Sequence, residues 1–75
     1  MDTPKESGID RAITLAGGQM ALAAAIGCSQ QNVSFWKTQG FVPLMRAIEV
    51  EQATGVPRAQ LIDPRIWNVI NTDVI

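Results

Sequence analysis

The chain is 75 residues long with a formal net charge of −1, 47% hydrophobic and 17% charged, a balance that favours a folded domain over disorder. So short a chain supplies one core and buries only about 60% of its unfolded surface, which excludes a Rossmann sheet, a barrel or a deep substrate cavity. Cys28 is the single cysteine and there is no histidine, which excludes a disulfide framework and a multi-cysteine zinc site and removes the usual residue for metal ligation and acid–base work.

The opening Met1-Asp2-Thr3-Pro4-Lys5-Glu6 is polar and of mixed charge, unlike a signal peptide, and residues 1–6 are expected to be a flexible N-terminus. Ser7 is a good helix N-cap, with Asp10 three residues on as a weak capping box. Ile9, Ala12, Ile13 and Ala16 then fall at i, i+3, i+4 and i+7, one stripe of an amphipathic helix that Gly17-Gly18 ends. Gln19 to Ile26 follows, alanine-rich and without a β-branched residue before Ile26, and favours a second helix. Its run from Met20 to Ile26 is the longest apolar stretch at seven residues, far below the ~17 needed to span a bilayer. The expectation is a soluble, cytoplasmic protein.

Gly27-Cys28-Ser29 interrupts the pattern: Gly27 suits a left-handed C-cap, and Ser29 can accept from the amides of a new helix. That third helix is predicted from about Gln30 to Lys37, closed by Thr38-Gln39-Gly40, with Phe41-Val42 read as loop. Pro43, tolerated in a first turn, opens a fourth helix to about Thr54, and Gly55 caps it. Pro57 begins a short fifth turn, Arg58 to Ile62, which Asp63-Pro64 breaks. No segment alternates with period two long enough for a strand. The span from Ile66 to Ile75 reads either way: Ile66-Trp67 packing back on the core, and Asn68-Val69-Ile70 extending or fraying. Residues 7–67 form the predicted domain and 68–75 a tail, either disordered or at a dimer interface.

Two short helices joined by a three-residue turn containing glycine are a helix-turn-helix unit. It needs a small residue where the helices cross, and Ala23 stands there. Four positions later it needs a residue tolerant of positive φ, and Gly27 stands there. Leu22 and Ile26 supply the inner face of the first helix, Val33 and Trp36 that of the second. All six requirements are met in one register. With Val33 and Trp36 inward, Gln30, Gln31, Ser34, Lys37 and Phe35 point away from the core. Neutral hydrogen-bonding side chains at a helix N-terminus belong to the end of a recognition helix that reaches base edges in the major groove. Glutamine pairs with adenine N6 and N7, serine bonds either kind of partner, and an outward Phe35 either touches a thymine methyl or sits against Phe41. The amides around Ser29 suit a phosphate oxygen, and Gln19 would lie over the backbone and buttress Gln30. Residues 19–40 carry Lys37 and no acid, a surface able to approach phosphate, or else a chance lull in a sparsely charged sequence.

The stretch from Ala16 to Lys37, with Arg46-Ala-Ile-Glu-Val-Glu-Gln-Ala-Thr-Gly55 and Pro64-Arg-Ile-Trp67, resembles phage Cro/CI-type repressors, particularly their Cro-like YdaS branch, over roughly residues 9 to 67. The resemblance implies an all-α, compact five-helix, lambda-repressor-like domain with a central helix-turn-helix. It implies sequence-specific binding of a near-palindromic operator, usually as a two-fold homodimer, in a phage regulator or a toxin–antitoxin repressor. The family's pair of glutamines, one opening each helix of the motif, matches Gln19 and Gln30, and its base-reading positions fall on Gln30, Gln31 and Ser34. Two features depart from it. Asp63 precedes Pro64, where relatives commonly carry a basic residue, and Lys37 is the lone cation of the recognition helix.

The expectation is therefore a double-stranded DNA operator read by Gln30, Gln31, Ser34 and Phe35, with Gln19, Ser29, Asn32, Lys37 and Thr38 on the backbone. No catalytic residue, metal, cofactor or membrane contact is expected: Cys28 lacks a histidine base and reads as a small residue in a tight turn. Glu49 and Glu51 read as a solvated face, with Glu51 able to pair with Arg46 or Arg58. Trp67 would close the core, and Ile66, Val69 and Ile70 suggest an interface for a second copy. The rival reading is an antitoxin-type helical module whose main task is to hold a protein partner such as a toxin.

Overall fold

The computed structural model describes residues 7–66. Five helices lie among them, α1 (Gly8–Ala16), α2 (Gln19–Ile26), α3 (Gln30–Gln39), α4 (Leu44–Thr54) and α5 (Arg58–Leu61), and the described residues contain no strand. The all-α reading holds. Residues 1–6, Trp67 and the tail at 68–75 lie outside the described residues, and with them the expectations of a flexible start, a Trp67 core plug and a tail interface.

Each helix forms for a local reason. Ser7 caps α1, its hydroxyl accepting from the Asp10 amide at 3.2 Å. Ile9 and Ala12 are fully buried, with Ile13 and Ala16 half-buried against them, so the apolar stripe faces the core as its period requires. Helix α3 runs to Gln39, two residues past the predicted end. Its stop is Gly40, in the left-handed region at φ 93° with its amide on the Trp36 carbonyl at 2.8 Å. Thr38 and Gln39 therefore stay helical. Helix α5 ends at Leu61, because Ile62 is extended.

The core gathers Ile9, Leu22, Val33, Val50, Leu61 and their smaller neighbours into one cluster. Helix α2 lies centrally, touching α1, α3 and α4, while α1 also packs on α3, α4 and α5. Val42, in the segment read as loop, is itself buried, and its amide donates to the Leu61 carbonyl at 2.7 Å. That bond pins the entry of α4 to the end of α5.

Two positions in this seam have roles that the apolar pattern does not predict. A Cβ built on Gly8 would fall 2.0 Å from the Gln60 carbonyl oxygen, so α1 can approach α5 this closely only with glycine there. Asp63 is buried, and Oδ1 accepts from the Arg65 amide at 2.9 Å while its own carbonyl accepts from the Ile66 amide at 2.9 Å. Helical backbone resumes over 64–66. Asp63-Pro64 thus ends one helical segment and opens another, with aspartate as cap and proline in the first turn. The Arg65 guanidinium closes on the same carboxylate at 2.8 Å. Among the described residues no buried side-chain polar atom lacks a hydrogen-bond partner.

Candidate nucleic-acid interface

The α2–turn–α3 unit is built as its residue types demand. Leu22 and Ala23 are buried on α2, Ile26 is half-buried against the core, and Val33 and Trp36 are buried on α3. Gly27 takes the left-handed conformation at φ 73°, and its amide and that of Cys28 both turn back to the Ala23 carbonyl. Cys28 is half-buried, its thiol donating to the Ser29 carbonyl at 3.5 Å. The pair of bonds on Ala23 satisfies an end-of-helix carbonyl that would otherwise be orphaned.

With that register set, one side of α3 is committed to the core and the other is free. Gln30, Gln31, Asn32, Ser34, Lys37 and Thr38 are all exposed. Phe35 stands 63% exposed and Phe41 is half-buried, so most of the Phe35 ring faces outward instead of being covered by the loop. The outer surface of α3 is thus an aromatic ring among uncharged donors and acceptors.

Three of these groups already have internal work. The Ser29 hydroxyl accepts from the Asn32 amide at 3.2 Å, which caps α3. The first-turn amides of Gln30 and Gln31 have no intrahelical acceptor and point out of the helix end. The Thr38 hydroxyl donates to the Ser34 carbonyl at 3.0 Å. Lys37 Nζ reaches across to α1 and pairs with Asp10 Oδ1 at 2.8 Å. Gln19 is half-buried at the start of α2, and no hydrogen bond joins it to Gln30.

The Lys37–Asp10 pair changes the electrostatic reading of this surface. The acid-free window of the sequence is closed in space by a carboxylate from another helix. The Lys37 ammonium holds Asp10 below the ordinary carboxylate range, outweighing the cost of burial, and the Ser7 hydroxyl adds a smaller pull the same way. No spacing in the sequence links positions 10 and 37, since the contact exists only once α1 packs on α3. Elsewhere, besides the Arg65–Asp63 pair, the described ion pairs are Arg58 with Glu51 and Arg46 with Glu49, each at 2.7 Å. Arg58, not Arg46, is therefore the partner of Glu51.

Among the described residues no helix is long and apolar enough to cross a membrane. What α3 presents is a hydrogen-bonding surface suited to recognition.

Comparison with known proteins agrees with this geometry. The family model of the bacterial toxin YdaS matches residues 9–70. No curated protein matches the chain. Among solved structures, the Cro protein from the putative prophage element Xfaso 1 of Xylella fastidiosa strain Ann-1 is similar at 33% identity. That match covers 92% of this chain and 95% of the other, with a TM-score of 0.63. A family match over most of the chain and a shared fold at this identity agree on one conclusion: the chain belongs to the YdaS family and is a Cro-like helix-turn-helix protein.

Proposed function

We propose that the chain is a sequence-specific DNA-binding regulator that lays the N-terminal half of α3 into the major groove. The observation that carries this reading is the orientation of α3. Val33 and Trp36 are buried while Gln30, Gln31 and Ser34 are exposed together, which leaves bidentate and hydroxyl partners free for base edges. In this reading Gln30, Gln31, Ser34 and Phe35 contact bases. Gln19, Ser29, Asn32, Lys37 and Thr38 contact the backbone, Ser29 and Asn32 through the capped helix end. The regulator acts as a repressor in the bacterial cytoplasm, on a near-palindromic operator. A two-fold dimer supplies a pair of recognition helices about 34 Å apart, and the second copy also adds buried surface to a small domain. With few cations, and Lys37 alone among residues 19–40, few counterions are released, so the salt dependence of binding is shallow.

Site selection from random duplexes, followed by titration of the recovered site, tests this. Gln30→Ala is expected to lose about 1–3 kcal/mol on the selected duplex and little on a scrambled one. An equal loss on both removes Gln30 from base readout, and failure to enrich any site removes the DNA reading altogether.

Exposed Leu15, Met20 and Met45 support a second reading, an antitoxin-type module that holds a protein partner, since apolar side chains of this size gain most from being covered. The same selection separates the two, because a module of that kind enriches no duplex.

A further inference from the structure

Lys37 is the only cation between residues 19 and 40, and it is held by an acid from a different helix. Its Nζ lies 2.8 Å from Asp10 Oδ1. Asp10 is fixed from its own side, because its amide is the one that the Ser7 cap accepts. Both side chains are partly exposed, 49% for Lys37 and 32% for Asp10, so the ammonium is open to a third group. Arg11, the neighbouring cation, is turned away to the Gln60 side chain and does not compete. On α3, Lys37 lies seven residues from Gln30 and three from Ser34, along the same flank of the helix.

A lysine that neutralises a DNA phosphate releases a counterion, and each such contact adds about 0.9 to the slope of log K against log salt. An ammonium already paired with a carboxylate brings no net charge to that exchange. We propose that Asp10 stands in for a DNA phosphate, holding Lys37 against α1 in the free protein and giving it up to the duplex on binding. Asp10 is then a positioning residue that weakens attraction to every sequence alike, so that recognition depends on the neutral face of α3. This rests on the DNA-binding reading above.

The test uses the full chain, the duplex recovered by selection and a scrambled duplex, titrated by fluorescence anisotropy between about 50 and 200 mM salt, the range over which phosphate contacts are resolved. Asp10→Asn is expected to tighten both duplexes by a common factor of about 3 to 10 at the lower salt and to steepen the slope by about 0.9. Lys37→Gln alone keeps close to the parent slope, because the exchange it removes carried no net charge. In the double variant the steepening caused by Asp10→Asn disappears; a double variant that stays steep overturns the proposal. The thermal melt of each variant confirms that it is folded.

A folded Asp10→Asn chain with the parent slope overturns the proposal. Tightening confined to the selected duplex also overturns it, because phosphate contacts carry no sequence information. Should Asp10→Asn not fold, Asp10→Ser takes its place and is held to the same slope: a folded serine variant with the parent slope overturns the proposal. A parent chain that binds neither duplex fails the DNA reading and this proposal together, whereas a parent that binds with an unmoved Asp10→Asn fails this proposal alone.

Discussion

The turn between α2 and α3 and the seam between α1 and α5 serve the same small core by different means. In the turn, every determinant lies close in sequence: Ala23 at the crossing, Gly27 in the left-handed region, Ser29 as cap, and Val33 and Trp36 facing inward. In the seam, the determinants come from opposite ends of the described chain. Gly8 meets the backbone of Gln60, and Arg11 donates to the Gln60 side chain 49 residues away. Behind them the Val42 amide reaches the Leu61 carbonyl. Local geometry therefore forms the surface offered to a partner, and long-range packing forms the platform behind it. A defect in the platform is expected to tell first on stability, and a defect in the turn first on the presented helix.

Three measurements sharpen this contrast. The largest effect is expected for Gly8→Ala. On the unfolded chain alone, alanine would stabilise by about 0.4–1 kcal/mol. The collision with a backbone carbonyl outweighs that gain, and the net loss is expected to be about 1–3 kcal/mol. A thermal melt reads this as a fall of about 4–8 °C per kcal/mol for a domain of this size. A rise in melting temperature would mean that α1 and α5 do not pack this closely in solution.

Ser29→Ala comes next, with a loss of about 1 kcal/mol from the missing cap. Because the cap sits at the end of α3 proposed to enter the groove, binding should fall by more than the melt predicts. A melt and a binding curve that shift together would show that the cap matters for stability alone.

The smallest effect is in acid. Asp10 and Asp63 are held below their ordinary value of 3.8, Asp10 chiefly by Lys37 and Asp63 chiefly by Arg65. A carboxyl whose folded value is depressed adds stability that is present above the unfolded value and lost as pH falls through the folded one. Melting temperature should thus hold steady from about pH 7 to 5 and drop below about pH 4. For an exposed pair such as Asp10–Lys37 the contribution is about 0–1 kcal/mol, so Asp10→Asn should differ slightly from the parent at neutral pH and match it in strong acid. A difference that widens on acidification contradicts the ion pair.

The helix-turn-helix was legible in the sequence because its demands are short-range and chemically sharp. A small crossing residue, a glycine four positions on and an apolar pair three apart leave one register, and that register turns Gln30, Gln31 and Ser34 outward. The end of α3 was misplaced by two residues because Thr38 and Gln39 were grouped with the closing glycine, whereas glutamine sustains a helix and the chain stops only at the residue able to take positive φ, Gly40. Asp63-Pro64 was read as a break, yet the same two residues also cap a new helical segment. A proline-based rule sees the end of one element and not the start of the next.

From the sequence alone came the helical class, the position of the turn and the polarity of the two faces of α3. These follow from dihedral preference and from a 3.6-residue period, which act over one or two turns of chain. Folding alone decided that Asp10 neutralises Lys37, that Gly8 must be small, and that Val42, in a loop, belongs to the core. Those outcomes depend on which helices lie side by side, and no local pattern encodes a distance between residues brought together from far apart in the chain.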